Sequence, residues 1–278
     1  MSKIYDLRGK LVLVTGGGAG IGRSIALAFA KRGANVVATD INGEALAQVK
    51  GEVEALGARC STFLVDVSDE AAMRRLAEDT AHVGVPDVLV NNAGIGFLGP
   101  FLSSTLEHWP RVLGVNLLGV VYGCYYFLPK MIAAGGKRRV VVVASGAAVF
   151  PPPNAAAYGA SKAAVFSFAE SLKMDLTGTS VGVTTVCPGI TNTGIVNKPK
   201  DQSSPAITDE QRAKMRAYYE TKGATPEAVA ESIVRGVERS TDLVLVGPAS
   251  RLMYNLRRIS LPLTRRITYG AASSAGFR

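Results

Sequence analysis

Tyr158 and Lys162 stand four residues apart in "YGASKAAVFSF", on one face of an alanine-rich helical stretch. A phenol beside an ammonium has two readings. In one, a lysine stem lies over a half-buried tyrosine. In the other, the cation lowers the phenol's pKa so that it can trade protons. A free phenol titrates near 10, and lowering it by ~3 units takes roughly 4 kcal/mol of preferential stabilisation of the phenolate. Ser145 lies thirteen residues before Tyr158, at the end of "RRVVVVAS". Its hydroxyl can orient a reacting oxygen toward the phenol, although taken alone it is also an ordinary strand-end hydroxyl. A hydrolase reading is poor. Ser145 is outside any Gly-x-Ser-x-Gly elbow, and neither His82 nor His108 has a triad context.

A second group of residues is suited to phosphate. "TGGGAGIG" places Gly16, Gly20 and Gly22 between a strand pattern and a helix pattern. Glycines there permit a tight turn and let a phosphate approach amides at a helix start. Asp40 closes the second strand pattern, eighteen residues after Gly22, where an acidic group would hold the ribose hydroxyls of an adenine dinucleotide. A carboxylate about 4 Å from a 2′-phosphate would be disfavoured by roughly 4 kcal/mol per unit charge, which favours NAD over NADP. Arg23, if it faced the pocket, would soften that preference.

These residues need a scaffold, and the rest of the chain supplies its pattern. Strand-like runs ("KLVLVTGG", "ANVVATD", "RCSTFLVDV", "DVLVNNAG", "RRVVVVAS", "SVGVTTVCPG", "DLVLVG") alternate with helical ones. The expected helices include one stopped by Gly33, one opened by Ser68, two near 103–114 and 115–134, one over about 155–177, and one with Thr225 as N-cap and Pro226 at its first position. The alternation predicts an α/β fold: a doubly wound (Rossmann) seven-stranded parallel sheet with helices on both faces, and ligands beyond the strands' carboxyl ends. The expected division is one domain over 1–248 and a basic, apolar extension over 249–278.

The motifs, in this order, resemble those of the short-chain dehydrogenases/reductases in their compact single-domain branch. The resemblance covers about residues 8–248 and rests on "TGGGAGIG", "NNAG" at 91–94, Asn116 in "VNLLG", Ser145, "YGASK" and "PGITNT" at 188–193. Ala144-Ser145 replaces the family's common Ser-Ser pair, whose second member is the catalytic one. The resemblance implies a catalytic set of Asn116, Ser145, Tyr158 and Lys162, with Asn116 holding a water that links Lys162 to solvent. It implies cofactor contacts from Gly16, Gly20, Ile21, Gly22, Asp40, Asp66, Val67, Asn92, Ala93, Tyr158, Lys162, Ile190 and Thr193, while Asn91 braces the sheet. The expected reaction interconverts a secondary alcohol and a ketone by hydride transfer with NAD. A non-catalytic dinucleotide-binding scaffold or redox sensor is the alternative, and it predicts loss of an acid–base residue.

Composition sets the remaining expectations. Of the formal charge of +9, six units come from arginines at or beyond residue 249, where no acidic residue occurs. Excess charge confined to one segment argues against a nucleic-acid enzyme. Three scattered cysteines and two histidines form no metal-ligand spacing, and with no signal-peptide core the expected location is cytoplasmic. The apolar run "LLGVVYGCYYFLP" is too short to span a bilayer and ends in Pro129. Residues 191–223 are expected as a lid. Ile95, Phe97, Leu98, Phe150 and Ile195 are candidate walls for a lipid-like or steroid-like alcohol or ketone. The final segment has three readings: helix packed on a neighbouring subunit or the pocket, membrane-surface contact, or a disordered end. A homodimer or homotetramer is expected through the apolar helices beside the site.

Overall fold

A computed structural model describes residues 5–192, 203–247 and 250–275 of the chain. The β-branched runs become strands β1 (Leu11–Thr15), β2 (Asn35–Asp40), β3 (Cys60–Leu64), β4 (Val88–Asn91), β5 (Arg138–Val143), β6 (Val181–Pro188) and β7 (Leu243–Val246). All pair in parallel, in the order β3-β2-β1-β4-β5-β6-β7. The chain winds outward from β1 to β3, returns beside β1 as β4, and winds the other way to β7. That reversal leaves a crevice beyond the ends of β1 and β4.

Parallel strands need crossovers, and here helices bury both faces of the sheet. On one face, α1 (Gly20–Ala30), α2 (Gly43–Ala55) and α8 (Pro226–Glu238) cover Val12, Val14, Val36, Val90 and Val141. On the other, α3 (Glu70–Asp79), α5 (Gly119–Ala133) and α6 (Ala156–Asp175) cover Leu13, Val37, Leu89, Val140 and Val183. Phe29 and Phe127, at 0% and 1% exposure, anchor the two layers. Each contributes about 1.5–3 kcal/mol of burial. Cys60, Cys124 and Cys187 are all buried and unpaired.

Several helix boundaries follow the expected signals. Thr225 caps α8 by accepting from the Ala228 amide, with Pro226 in the first turn. Thr208 and Gln211 form a reciprocal capping box at α7 (Asp209–Lys222). Others differ. Asp69, not Ser68, caps α3, accepting from the amides of Ala71 and Ala72, while Ser68 is drawn back to Asp66. The first helix ends at Ala30, and Gly33 makes the positive-φ turn after it. The two helices expected over 103–134 are one continuous run: α4 (His108–Leu113), a π turn at Gly114–Leu118 and α5.

That run, His108–Ala133, has 26 residues and is long and apolar enough to cross a membrane by length and composition. The expectation of a run too short for that, ending at Pro129, is therefore corrected. Pro129 lies inside α5. Val120, Cys124, Phe127, Leu128 and Met131 pack against the sheet, which makes it a core helix of this fold. Beyond β7 the chain forms α9 (Ser250–Ile259) and α10 (Leu261–Ser274). The disordered-end reading is thus replaced by two helices for the described part of the segment, with Pro262 in the first turn of α10.

Candidate active site

The glycine-rich turn after β1 is shaped by close backbone approach. Gly16 adopts φ +62°, and a Cβ on Gly22 would stand 1.9 Å from the Gly16 carbonyl oxygen. Only glycine permits that turn. Asn92, just past β4, ties the loop down by donating from Nδ2 to the carbonyls of Thr15 (2.9 Å) and Gly16 (3.3 Å). Thr15 answers with its hydroxyl, which accepts from the amides of Asn92 and Ala93. Asn92 therefore fixes the glycine-rich turn against the end of β4. Ala93 packs against Gly16. Asn91 is buried, with Nδ2 toward the Cys124 sulfur at 3.4 Å, and joins β4 to α5.

Asp40, at the end of β2, faces this loop. Its Oδ2 accepts from the Gly18 amide at 3.0 Å and its Oδ1 from the Asn42 amide at 3.1 Å. Gly20 and Ile21 open α1 beneath it. Arg23 does not serve the groove: its guanidinium is bidentate to Glu52, at 2.7 and 2.8 Å. Farther along the strand ends, Asp66 is exposed and holds Ser68, while Val67 is buried against Gly119. Ile190 is partly exposed at 37%, with its carbonyl tied to the Ala224 amide. Thr193 and Ile195 lie outside the described residues.

The groups expected to carry chemistry meet at the ends of β5 and β6. Ser145, one residue beyond Ala144 after β5, accepts from the Ala147 amide and is hydrogen-bonded to the Tyr158 hydroxyl. Tyr158 and Lys162 lie in the first two turns of α6. Lys162 is 4% exposed, and its Nζ donates to the Val143 carbonyl at 2.9 Å. Asn116 sits in the π turn, a kind of helical irregularity frequent at functional sites. Its Oδ1 accepts from the Ile95 amide, and its Nδ2 donates to the Ile95 carbonyl and to Ser161 Oγ. Ser161 in turn donates to the Tyr158 carbonyl. A Cβ on Gly94 would be 3.3 Å from both Asn116 Oδ1 and Lys162 Nζ, so that glycine keeps the space between them open.

The electrostatics depart from one expectation. Burial is the largest influence on Tyr158 and raises its pKa, while the Ser145 hydrogen bond pulls it down. The lowering by Lys162 expected from the sequence does not appear here. Burial also pushes the Lys162 amine down to about 8, and the ammonium is turned to the Val143 carbonyl. A dry pocket thus disfavours both charged forms.

Four residues near the site were not singled out by the sequence, although Thr15 opens the glycine-rich motif. Thr15 clamps the loop. Cys187, on β6, has its sulfur held by the Ser145 amide and its thiol pushed up to about 12 by burial. Burial raises the pKa of Tyr219 on α7, and the nearby Tyr158 adds to that rise. Arg257 on α9 donates to the carbonyls of Ala148 and Val149, a few residues past Ser145. Among the candidate wall residues, Phe97 is instead a packing residue, 5% exposed and stacked on His108. Ile95 packs with it. Phe150 covers Gly146, and Leu98 joins a cluster of Ile207, Met215, Tyr218, Tyr219, Ala272 and Ala275.

Residues 10–204 match the sequence model of the short chain dehydrogenase family. The chain belongs to that family. It is 38% identical over 263 residues to the probable oxidoreductase EphD of Mycobacterium tuberculosis, covering 93% of this chain and 44% of that protein. The chain therefore spans under half the length of that mycobacterial relative. It is 29% identical over 253 residues to a C alpha-dehydrogenase of Sphingobium sp. strain SYK-6, covering 88% of this chain and 83% of the other. Among solved structures, a short chain dehydrogenase/reductase from Burkholderia phymatum in complex with NAD superposes with a TM-score of 0.85 at 30% identity. That match covers 94% of this chain and 97% of the other. The fold of a short chain dehydrogenase is a dinucleotide-binding one, and the turn after β1 fits it here: Ala19 precedes α1 with no side-chain cap, which leaves the helix's first amides to a phosphate.

Proposed function

We propose that the protein is an NAD-dependent oxidoreductase that interconverts a hydrophobic secondary alcohol and its ketone. The observation that carries this reading is the meeting of Ser145, Tyr158, Lys162 and Asn116 at the carboxyl ends of the central strands, where the glycine-rich turn also lies. The nicotinamide, when bound, supplies or accepts the hydride. Ser145 orients the substrate oxygen, and the Tyr158 hydroxyl gives a proton to the alkoxide or takes one from the alcohol. Lys162 stands one helical turn from Tyr158 and favours the phenolate once its ammonium turns from Val143 toward the ring. Asn116 keeps the Lys162 end of the pocket open to a relay of protons. The local dryness that raises the free phenol also strengthens each of these interactions.

The preference for NAD rests on Asp40. Its carboxylate is fixed by two backbone amides beside the loop, and Arg23 is engaged by Glu52 and brings no compensating charge. The apolar substrate class is supported by Tyr219, buried within reach of Tyr158, and by the apolar cluster of Leu98, Met215, Tyr218 and Ala272 that packs around it between α7 and α10.

A panel of secondary alcohols and ketones, followed by cofactor absorbance with NAD and NADP in parallel, tests all three parts. Turnover of apolar members with NAD, lost in Tyr158→Phe, is the expected result. Full turnover in Tyr158→Phe would remove the acid–base assignment, and turnover confined to sugars would remove the apolar one.

A further inference from the structure

We propose that α9 and α10 together form a docking surface for anionic phospholipid bilayers. The inference does not depend on the substrate reading. Between residues 250 and 275 the chain carries five arginines and no acidic residue. One side of the helix pair is committed to the protein: Ser250, Met253, Thr264, Ala272 and Ala275 are buried, and Arg257 holds the loop after Ser145. The other side is bare. In α9, Arg251, Leu252, Asn255, Arg258 and Ile259 form one stripe of helical spacing, and all are exposed, Leu252 by 68% and Ile259 by 84%. In α10, Leu263 and Ile267 stand one turn apart, 46% and 43% exposed, beside exposed Arg265 and Arg266.

Among the described residues, Arg251, Arg258, Arg265 and Arg266 meet no carboxylate within ion-pair distance. The occupant must therefore satisfy unneutralised guanidinium groups and uncovered Leu and Ile together. A second copy of the same surface would bring four positive charges against four, which opposes association. A nucleic acid would match the charge and leave the aliphatic side chains in water. An anionic bilayer takes both, with arginines at the phosphates and Leu252, Ile259, Leu263 and Ile267 at the acyl boundary. The break at Ser260, which caps α10 just before Pro262, keeps both helices too short to cross, so the pair lies on the surface. Because α10 also packs on α7 and Leu98, docking would set the mouth of the site against the lipid.

Flotation of the full chain with phosphatidylserine/phosphatidylcholine vesicles and with pure phosphatidylcholine vesicles tests this. Binding to the anionic vesicles alone, weakened by rising salt, is expected. Replacing Arg251, Arg258, Arg265 and Arg266 together by Gln should weaken it by about two to three orders of magnitude. Leu252→Ser/Ile259→Ser should weaken it while leaving the melting temperature and zero-lipid sedimentation unchanged, which keeps the test open if the fourfold variant does not fold. Absence of flotation, equal flotation with both vesicles, tighter binding to duplex DNA than to anionic vesicles, or arginine-dependent self-association in their place would overturn the proposal.

Discussion

An amine with 4% exposure and a pKa brought down to about 8 from an ordinary 10.5 is a strained cation at neutral pH. The unfolded chain binds its proton more tightly than the folded one. Wild-type stability therefore rises with pH between about 8 and 10.5, and the penalty is full below that window. The shift is worth about 3 kcal/mol, and leaving the Val143 carbonyl unpaired returns about 1. Lys162→Met is accordingly expected to stabilise the fold by about 2 kcal/mol at pH 7 while abolishing turnover. Denaturant melts of both proteins at pH 7 and pH 10 read this out, and a stability gain that does not shrink at the higher pH contradicts it. Ser145 makes a separate prediction. Its hydrogen bond holds the Tyr158 phenol down, so Ser145→Ala should move the alkaline limb of the rate profile upward in pH as well as cost about a hundredfold in kcat.

Helix ends and loops decide where those side chains stand, and these are unevenly legible in the sequence. Strand runs such as "RRVVVV" are legible because full burial on both faces makes them continuously apolar. The first turn of α3 is ambiguous in sequence because Ser68 and Asp69 are both good caps. The structure gives the cap to Asp69 since Asp66 already engages Ser68. Asp69→Ala should therefore lower the melting temperature by about 2–4 °C, and Ser68→Ala by much less; scanning calorimetry of the two distinguishes them. The π turn at Gly114–Leu118 left no mark on the sequence, because one extra residue in a helix changes no composition. Asn116 was found only through its motif. Arg257 was illegible as a site residue, since its partners are backbone carbonyls more than a hundred positions away. Arg257→Met should loosen the loop after Ser145 and raise KM several-fold with kcat nearly constant, a split that steady-state kinetics resolves.

Taken as a whole, the molecule separates its tasks by region. Reversal of the winding between β1 and β4 makes one crevice, and the glycine turn, Asp40, Asn92 and the Ser145–Tyr158–Lys162 group all lie at strand ends on that side. The family resemblance located these residues, whereas the burial that raises Tyr158 depends on contacts brought together only by the finished sheet. Charge is segregated too, with the arginine-rich helices standing apart from the ion-paired body, where Arg23, Arg32 and Arg139 each hold a carboxylate. The three sequestered thiols add a property unrelated to catalysis. Cys60 lies on edge strand β3, Cys124 on α5 and Cys187 on β6, and burial pushes them up to about 11, 12 and 12. An alkylating reagent meets each only when its surroundings open, so the native chain carries clocks for two depths of opening, the rim and the interior. Mass-resolved labelling should find the rim strand reacting first and the two inner sites together, near the rate of global unfolding.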